Sequence, residues 1–235
     1  MSELVIKSES PKMFDSIACR YDVLNQVLSF GMAMGWRQRI VACFPEKTDM
    51  LVLDVATGTA DIPLLLARSL ASIKRIVGVD LSQGMLAAGR RKVKRAGLSA
   101  RIDLKTGDGQ RLFFEDRSFD VVTLGFGLRN FPDPMQGLME ACRVLKTNGR
   151  LVVLEFSRPE AFPARQGHQL YMQFFVPMVG LVLTGNLKAY EYLSHTVMVF
   201  PHGERFLRIL RQVGFREVKR KPLLFGAVTI YIGIK

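Results

Sequence analysis

Cysteine, histidine and tryptophan are scarce in this chain of 235 residues, which has three Cys, three His and one Trp. The cysteines stand at positions 19, 43 and 142 without CxxC spacing, so the sequence predicts neither a disulfide framework nor a zinc site. The histidines at 168, 195 and 202 form no ligand pattern such as HExxH. We therefore expect no metal.

Long hydrophobic runs are also missing. The longest, FFVPMVGLVL at 174–183, is too short for a membrane span, which needs about 20 residues. The first residues, MSELVIKSESPK, place no apolar segment behind a basic start and so do not predict a secretory signal. These features predict a cytoplasmic protein in a reducing compartment.

Acidic residues are outnumbered by basic ones, 21 against 33, which gives a net charge of +12. Such an excess favours an anionic partner such as nucleic acid, a membrane surface or an anionic ligand, although a generally basic proteome explains it equally well. The basic clusters at 89–95 and 216–221 lack the interleaved aromatic residues that stack on bases. We therefore expect no nucleic-acid partner.

From residue 51 onward, apolar runs alternate with helical patterns. This alternation predicts an α/β, Rossmann-like fold with a mostly parallel, seven-stranded sheet and helices on both faces. The predicted strands lie at 51–55, 75–79, 102–105, 119–124, 149–154, 215–220 and 226–234, and the helices between them at 61–72, 82–96, 134–146 and 203–213. The last two strands are close enough for a hairpin, which predicts one antiparallel strand.

The length of the chain predicts a single domain over 1–235. Residues 1–48 form a helical cover in this interpretation, and residues 160–200 form a helical insertion or lid. Both would lie over the carboxyl ends of the strands, where open α/β sheets bind their ligands.

Glycine is missing where a dinucleotide-binding loop would need it. The segment LVLDVATGTADIP at 51–63 has Gly58 alone in its turn, whereas the dinucleotide fingerprint is GxGxxG. Acids instead stand at the ends of the first three predicted strands, at Asp54, Asp80 and Asp108. Carboxylates repel a pyrophosphate but suit a nucleoside that carries a cation, which predicts S-adenosylmethionine as cofactor. Alternatively, each acid is a helix N-cap or a turn residue.

The segment GFGLRNFPDP at 125–134 follows the fourth predicted strand and brings Arg129 and Asn130 to the same edge. Arg129 there would act as a fixed cation that stabilises an oxyanion of the substrate. The alternative is an ordinary turn with a solvated arginine.

The segment YMQFFVPMVGLVL at 171–183 is apolar on nearly every side. It is either a buried core helix, a wall for an apolar substrate, or a surface that rests on lipid. Pro177 and Gly180 make it irregular, which favours a lid.

Several separated segments resemble the ubiquinone/menaquinone biosynthesis C-methyltransferase family of class I S-adenosylmethionine-dependent methyltransferases. They cover nearly the whole chain: MFDSIACRYDVLNQVLSFGMAMGWR at 13–37, FGLRNFPDP at 126–134, RVLKTNGRLVVLEFSRP at 143–159, AYEYLSHTVMVFP at 189–201 and VGFREV at 213–218. One departure lies in the first loop, where the family usually has glycine and this chain has Ala60.

The resemblance implies C-methylation of a prenylated quinol ring, most simply demethylmenaquinol to menaquinol. Ubiquinone biosynthesis, with a 2-polyprenyl-6-methoxy-benzoquinol, and a non-catalytic scaffold in a quinone-synthesis assembly are the alternatives. The implied cofactor residues are Thr59, Asp80, Asp108 and Gly109, to which the loop pattern adds Asp54 and Gly58; the implied catalytic residues are Arg129, Asn130 and Tyr21. The expected partners are the polyprenylated quinol, an anionic membrane at its inner face, and a homodimer or quinone-synthesis assembly.

Overall fold

The computed structural model describes residues 10–18, 21–179 and 187–235. Three helices precede the sheet: α1 (Ser10–Ile17), α2 (Tyr21–Leu28) and α3 (Ala33–Val41). The alternating part consists of β1 (Met50–Val55), α4 (Asp61–Ser69), β2 (Ile73–Asp80), α5 (Gln83–Arg95), β3 (Ile102–Thr106), β4 (Phe119–Gly125), a 3-10 turn (Leu128–Asn130), α6 (Pro134–Val144) and β5 (Leu145–Phe156). The chain ends with α7 (Ala164–Leu170), a π-helical turn (Tyr171–Phe175), α8 (Leu187–Val199), α9 (Glu204–Val213), β6 (Arg216–Leu223), a 3-10 turn (Leu224–Gly226) and β7 (Val228–Ile234).

The strands form one seven-stranded sheet in the order β3-β2-β1-β4-β5-β7-β6. The first five strands in that order are parallel, and β7 runs antiparallel to both β5 and β6. The predicted fold class, a mostly parallel seven-stranded sheet with one antiparallel strand, is confirmed, and that strand, β7, lies between β5 and the edge strand β6. The strand order reverses between β1 and β4, which is the switch point at which such sheets bind ligands.

Successive side chains of a strand point to opposite faces of the sheet, so the hydrophobic core is divided between the two faces. Val52 packs with α3, α4 and α5 on one face, and its neighbour Leu53 packs with α6 and α9 on the other. The strand β4 is buried almost throughout because helices cover both faces.

The helices α5 and α6 each begin at a residue whose side chain caps the free backbone N–H groups of the first turn. The Ser82 hydroxyl accepts a hydrogen bond from the backbone N–H of Met85, and the Asp133 carboxylate accepts from Met135 and Gln136. Pro134 occupies the first turn of α6, where its missing N–H costs nothing. These caps fix where α5 and α6 leave the sheet edge.

A third, smaller core lies over the carboxyl ends of the strands. Leu24 of α2 packs there with Met172, Val176 and Val197, and the Tyr171 hydroxyl donates to the carbonyl of Leu28. The segment predicted to be irregular forms the π-helical turn and continues as helix to residue 179, while its last residues lie outside the described ranges. In the ranges that are described, no helix combines the length and apolar character that a membrane crossing requires.

Candidate active site

Two adjoining cavities lie at the carboxyl ends of the parallel strands. The acidic cavity, of about 270 Å³, is lined by Asp80, Asp108 and the backbone of the surrounding loops. The aromatic cavity, of about 370 Å³, is lined by apolar side chains from the N-terminal helices, from β5 and from the segment 164–176. Four residues line both cavities and form their shared wall: Phe14, Tyr21, Phe126 and Asn130.

Asp80 is the best-ordered acid of the acidic cavity. One carboxylate oxygen accepts from the Gly58 N–H at 2.8 Å and the other from the Ser82 N–H at 2.9 Å. Burial raises the pKa of Asp80, and the hydrogen bonds from Ser82, Gly58 and Leu81 act in the opposite direction. Each oxygen keeps further acceptor capacity, so this fixed carboxylate is suited to vicinal hydroxyls such as those of a ribose.

Gly58 and Gly109 shape the walls of the acidic cavity. Gly58 has φ of +55°, a left-handed conformation that glycine adopts without strain. At Gly109, an added Cβ would lie 2.5 Å from the Phe131 ring and 2.7 Å from Val55, so a side chain would displace the ring that lines the cavity. The predicted residues Gly58, Asp80, Asp108 and Gly109 therefore all line one cavity.

Asp54 is not part of that lining. It is buried beneath the loop, where the Thr123 hydroxyl donates to its carboxylate at 2.5 Å. Burial raises the pKa of Asp54 to about 7, although hydrogen bonds from Thr123 and Thr57 lower it. The structure places Asp54 outside the cavity lining, and a direct contact of Asp54 with the cofactor stays a prediction.

The raised pKa of Asp54 makes a prediction about stability. In the unfolded chain this carboxyl ionises near its ordinary pKa of about 4, whereas in the folded chain it stays protonated up to about pH 7. The free energy of unfolding is therefore highest below about pH 4 as far as Asp54 is concerned, and it falls as the pH rises from about 4 to about 7. Compared with the wild type, Asp54→Asn should gain up to about 4 kcal/mol in free energy of unfolding between pH 4 and pH 8. Urea denaturation at several pH values measures this difference, and a difference that does not change with pH would contradict the assignment.

Thr59 also points away from the acidic cavity. Its hydroxyl donates to Asp22 of α2 at 2.8 Å and accepts from the Lys92 ammonium of α5 at 3.0 Å. The structure therefore does not bring the Thr59 side chain to the cofactor position that the resemblance implied, because its hydroxyl is engaged in holding α2.

Ala60, the departure noted in the loop, has φ of +64° and a fully buried side chain. Its methyl group faces Gly89 of α5, where an added Cβ would lie 3.3 Å from it, and it does not line either cavity. Alanine in this left-handed conformation costs backbone energy that glycine would not. Because the Ala60 side chain lies outside the acidic cavity, it takes no space from a cofactor bound there.

Two acids of the N-terminal helices, which sequence reasoning missed, fasten these helices to the first loop and to α5. Asp15 accepts from the Ser82 hydroxyl at 2.5 Å and from the Gly84 N–H at 2.8 Å. Asp22 accepts from Thr59 and forms an ion pair with Lys92 at 2.9 Å. These contacts hold Phe14 and Tyr21 in the shared wall.

Arg129 and Asn130 lie in the 3-10 turn after β4, and both line the aromatic cavity. The Arg129 guanidinium donates to the Glu155 carboxylate at 2.7 Å and to the carbonyl of Phe126, and its Cζ lies 5.1 Å from the centroid of the Phe156 ring. Glu155, at the end of β5, is completely buried and also accepts from the Phe156 N–H at 2.9 Å.

Arg129 is therefore one half of a buried ion pair and not the isolated cation that the sequence suggested. The pair has almost no net charge, so its effect on a bound oxygen is that of an oriented donor. The Arg129 Nε is itself buried and has no hydrogen-bond partner among the described residues, so the contact of Arg129 with the cavity is not assigned to that atom. Sequence reasoning missed Glu155, although an acid at the end of an apolar strand is the same signal that identified Asp80.

The remainder of the aromatic cavity is suited to a flat, apolar ligand. Trp36, Phe126 and Phe156 form an aromatic cluster in which the last two rings are 4.6 Å apart. His168 also lines this cavity; burial, Arg158 and His202 lower its pKa, so that its imidazole is neutral at pH 7. Among the described residues, no three His, Cys, Asp or Glu side chains group as metal ligands would.

The acidic cavity fits S-adenosylmethionine by its chemistry: carboxylates and backbone N–H groups for the nucleoside, apolar Leu81, Met85 and Phe131 for a base, and no cluster of cations for phosphate. The sheet with this cavity at its switch point defines the Rossmann-like methyltransferase fold. A SAM-dependent methyltransferase of Thermotoga maritima, described as a possible histamine N-methyltransferase, superposes with a TM-score of 0.65 at 21% identity, covering 95% of this chain and 99% of that one.

The chain belongs to the ubiE/COQ5 methyltransferase family, whose model matches residues 4–235. It is 40% identical over 230 residues to a demethylmenaquinone methyltransferase of Bacteroides fragilis, covering 97% of this chain and 94% of the relative. It is 43% identical over 223 residues to a ubiquinone/menaquinone biosynthesis C-methyltransferase of Geobacter sulfurreducens, covering 95% and 87%. The family that the sequence motifs resemble is confirmed.

Proposed function

We propose that this chain binds S-adenosylmethionine in the acidic cavity and methylates a ring carbon of a prenylated quinol in the aromatic cavity, with demethylmenaquinol as its substrate. The shared wall is the observation that carries the proposal. Phe14, Tyr21, Phe126 and Asn130 border both cavities, so a methyl donor in one and a flat acceptor in the other would meet beside these residues. The names of the Bacteroides and Geobacter relatives support this substrate class.

When bound, S-adenosylmethionine supplies an electrophilic methyl group. The chain's residues have to bring a ring carbon to it and make that carbon nucleophilic. A quinol hydroxyl has a pKa near that of tyrosine, about 10. Loss of its proton places electron density on the adjacent ring carbon. That carbon would bond to the methyl carbon as the methyl–sulfur bond breaks and leaves its electron pair on sulfur, and it would finally release its own hydrogen as a proton.

Arg129 and Asn130 fit the task of holding the quinol oxygen. The guanidinium of Arg129 and the amide of Asn130 belong to residues that line the cavity, and both favour the oxyanion over the hydroxyl. Tyr21, a water held by Arg129 and Asn130, and the neutral His168 are the groups at the cavity that accept the proton in this proposal. Positioning across the shared wall contributes much of the remaining rate.

The test is methyl transfer by the purified protein to demethylmenaquinol, with the product measured by mass spectrometry. The corresponding methoxy-benzoquinol, with the same prenyl tail, is the comparison substrate. We expect the naphthoquinol to be methylated at least about tenfold faster, since its second ring fills more of the apolar wall. Binding of S-adenosylmethionine without transfer to either quinol would contradict the proposal and favour a non-catalytic scaffold.

A further inference from the structure

The segments that contribute to the lining of the aromatic cavity also carry apolar side chains that lie in solvent. We name these residues the apolar rim: Phe30, Phe162, Leu170, Phe174, Met178, Leu224 and Phe225. Phe162 is 81% exposed and Phe225 is 86% exposed, which is unusual for phenylalanine on a freely soluble surface. Phe30, Leu224 and Phe225 also line the cavity itself, so the rim and the cavity are continuous.

The helical part of the rim is periodic. Leu170, Phe174 and Met178 are spaced four residues apart, which places them on one face of the helix, and all three are more than half exposed. The opposite face carries Met172 and Val176, which are buried in the small core over the sheet edge. This helix is therefore apolar on both its inner and its outer face.

The second part of the rim is a turn with an unfavourable backbone. Leu224 and Phe225 have φ of +45° and +53°, in the left-handed region that residues with a side chain avoid. This conformation directs a phenylalanine into water. Backbone strain that exposes an apolar side chain beside a cavity is typical of a functional surface.

The charges beside the rim are almost all positive. Arg158 and Arg165 flank Phe162 in the sequence, and Arg220 and Lys221 precede Leu224. The turn lies against this first segment, since a Cβ added at Gly226 would be 3.5 Å from the Cα of Pro159. The only acid between residues 158 and 165 is Glu160, which is 3.6 Å from Arg220.

We propose that the apolar rim inserts into an anionic lipid bilayer, so that the aromatic cavity opens directly into the membrane. Apolar side chains in segments that also carry basic residues match the acyl layer and the anionic headgroups of such a surface. Two copies of the chain would bring like charges together if they paired through the rim. The proposal rests on the proposed function, since a polyprenylated quinol resides in the bilayer and would enter the cavity from it.

The test compares the full chain with the double variant Phe162→Ser/Phe174→Ser, whose two side chains line neither cavity. Met139→Ser is the matched control, because Met139 is an exposed apolar residue on α6 outside both cavities. Binding is measured by co-sedimentation with phosphatidylglycerol vesicles and with phosphatidylcholine vesicles. We expect salt-sensitive binding to the anionic vesicles, reduced at least about tenfold in the double variant and unchanged in the control.

A tail-less quinol in solution distinguishes this proposal from the proposed function. The double variant should methylate that quinol at the wild-type rate and lose transfer to a long-chain quinol held in vesicles. Equal vesicle binding by the wild type and the double variant would overturn the proposal that the rim inserts into the bilayer, whatever the rate of methylation of the tail-less quinol. A wild-type dimer that the double variant converts to monomer would overturn it as well, by assigning the rim to contact between copies.

Discussion

Replacing Arg129 by methionine should lower the free energy of unfolding by about 3–5 kcal/mol, because it leaves the Glu155 carboxylate buried without its partner. The same change should lower the turnover number for quinol methylation by about 100-fold or more, since the guanidinium proposed to hold the quinol oxygen is lost. Urea denaturation and the mass-spectrometric assay measure the two effects separately.

A second substitution distinguishes structure from chemistry. Adding Glu155→Gln to Arg129→Met removes the unpaired charge, so most of the lost stability should return while turnover stays low. Arg75→Met is the control, since it breaks the exposed Arg75–Asp103 pair and should cost less than about 1 kcal/mol. Recovery of turnover in the double variant would show that Arg129 acts only by holding the fold.

Replacing Asp80 by asparagine should weaken the binding of S-adenosylmethionine by about 10- to 100-fold. A charged acceptor becomes neutral at the position proposed to contact the ribose, and a hydrogen bond to a charged group contributes about 1.5–3 kcal/mol. The asparagine oxygen can still accept from one of the two N–H groups that now bind the carboxylate, so the loop should keep its conformation. Isothermal titration calorimetry measures the change directly.

The matched control for Asp80→Asn is Asp103→Asn, which changes an acid on the neighbouring strand β3 outside both cavities. It should bind the cofactor as the wild type does. In the wild type and in the control, the cofactor should raise the melting temperature, and in Asp80→Asn this shift should largely disappear. If Asp80→Asn bound S-adenosylmethionine with the affinity of the wild type, the acidic cavity could not be assigned as the cofactor site.

The sheet was predictable because each strand is an apolar run that ends at a polar turn, and the positions of Asp80 and Asp108 followed from those ends. Asp54 shows where this reasoning fails. It precedes the last residue of β1, and the direction of its side chain depends on the pleat of the strand, which a spacing argument does not fix.

The surroundings of Thr59 and Arg129 depend on long-range pairing, which the sequence does not show. Thr59 meets Asp22, 37 residues earlier in the chain, and Arg129 meets Glu155, 26 residues later. The sequence presents each of these residues as an isolated polar group, so it cannot tell which charges cancel. Only the folded chain turns Arg129 from a free cation into half of an ion pair.

The proposed reaction transfers a methyl group to a ring carbon of a quinol beside the four residues that border both cavities. The most direct measurement is a reaction with S-adenosylmethionine carrying a deuterated methyl group and with demethylmenaquinol, followed by mass spectrometry and NMR of the product. We predict the deuterated methyl on the ring carbon beside a hydroxyl-bearing carbon, with loss of that carbon's hydrogen. A methyl ether on the quinol oxygen, or unlabelled quinol after prolonged incubation, would contradict the claim.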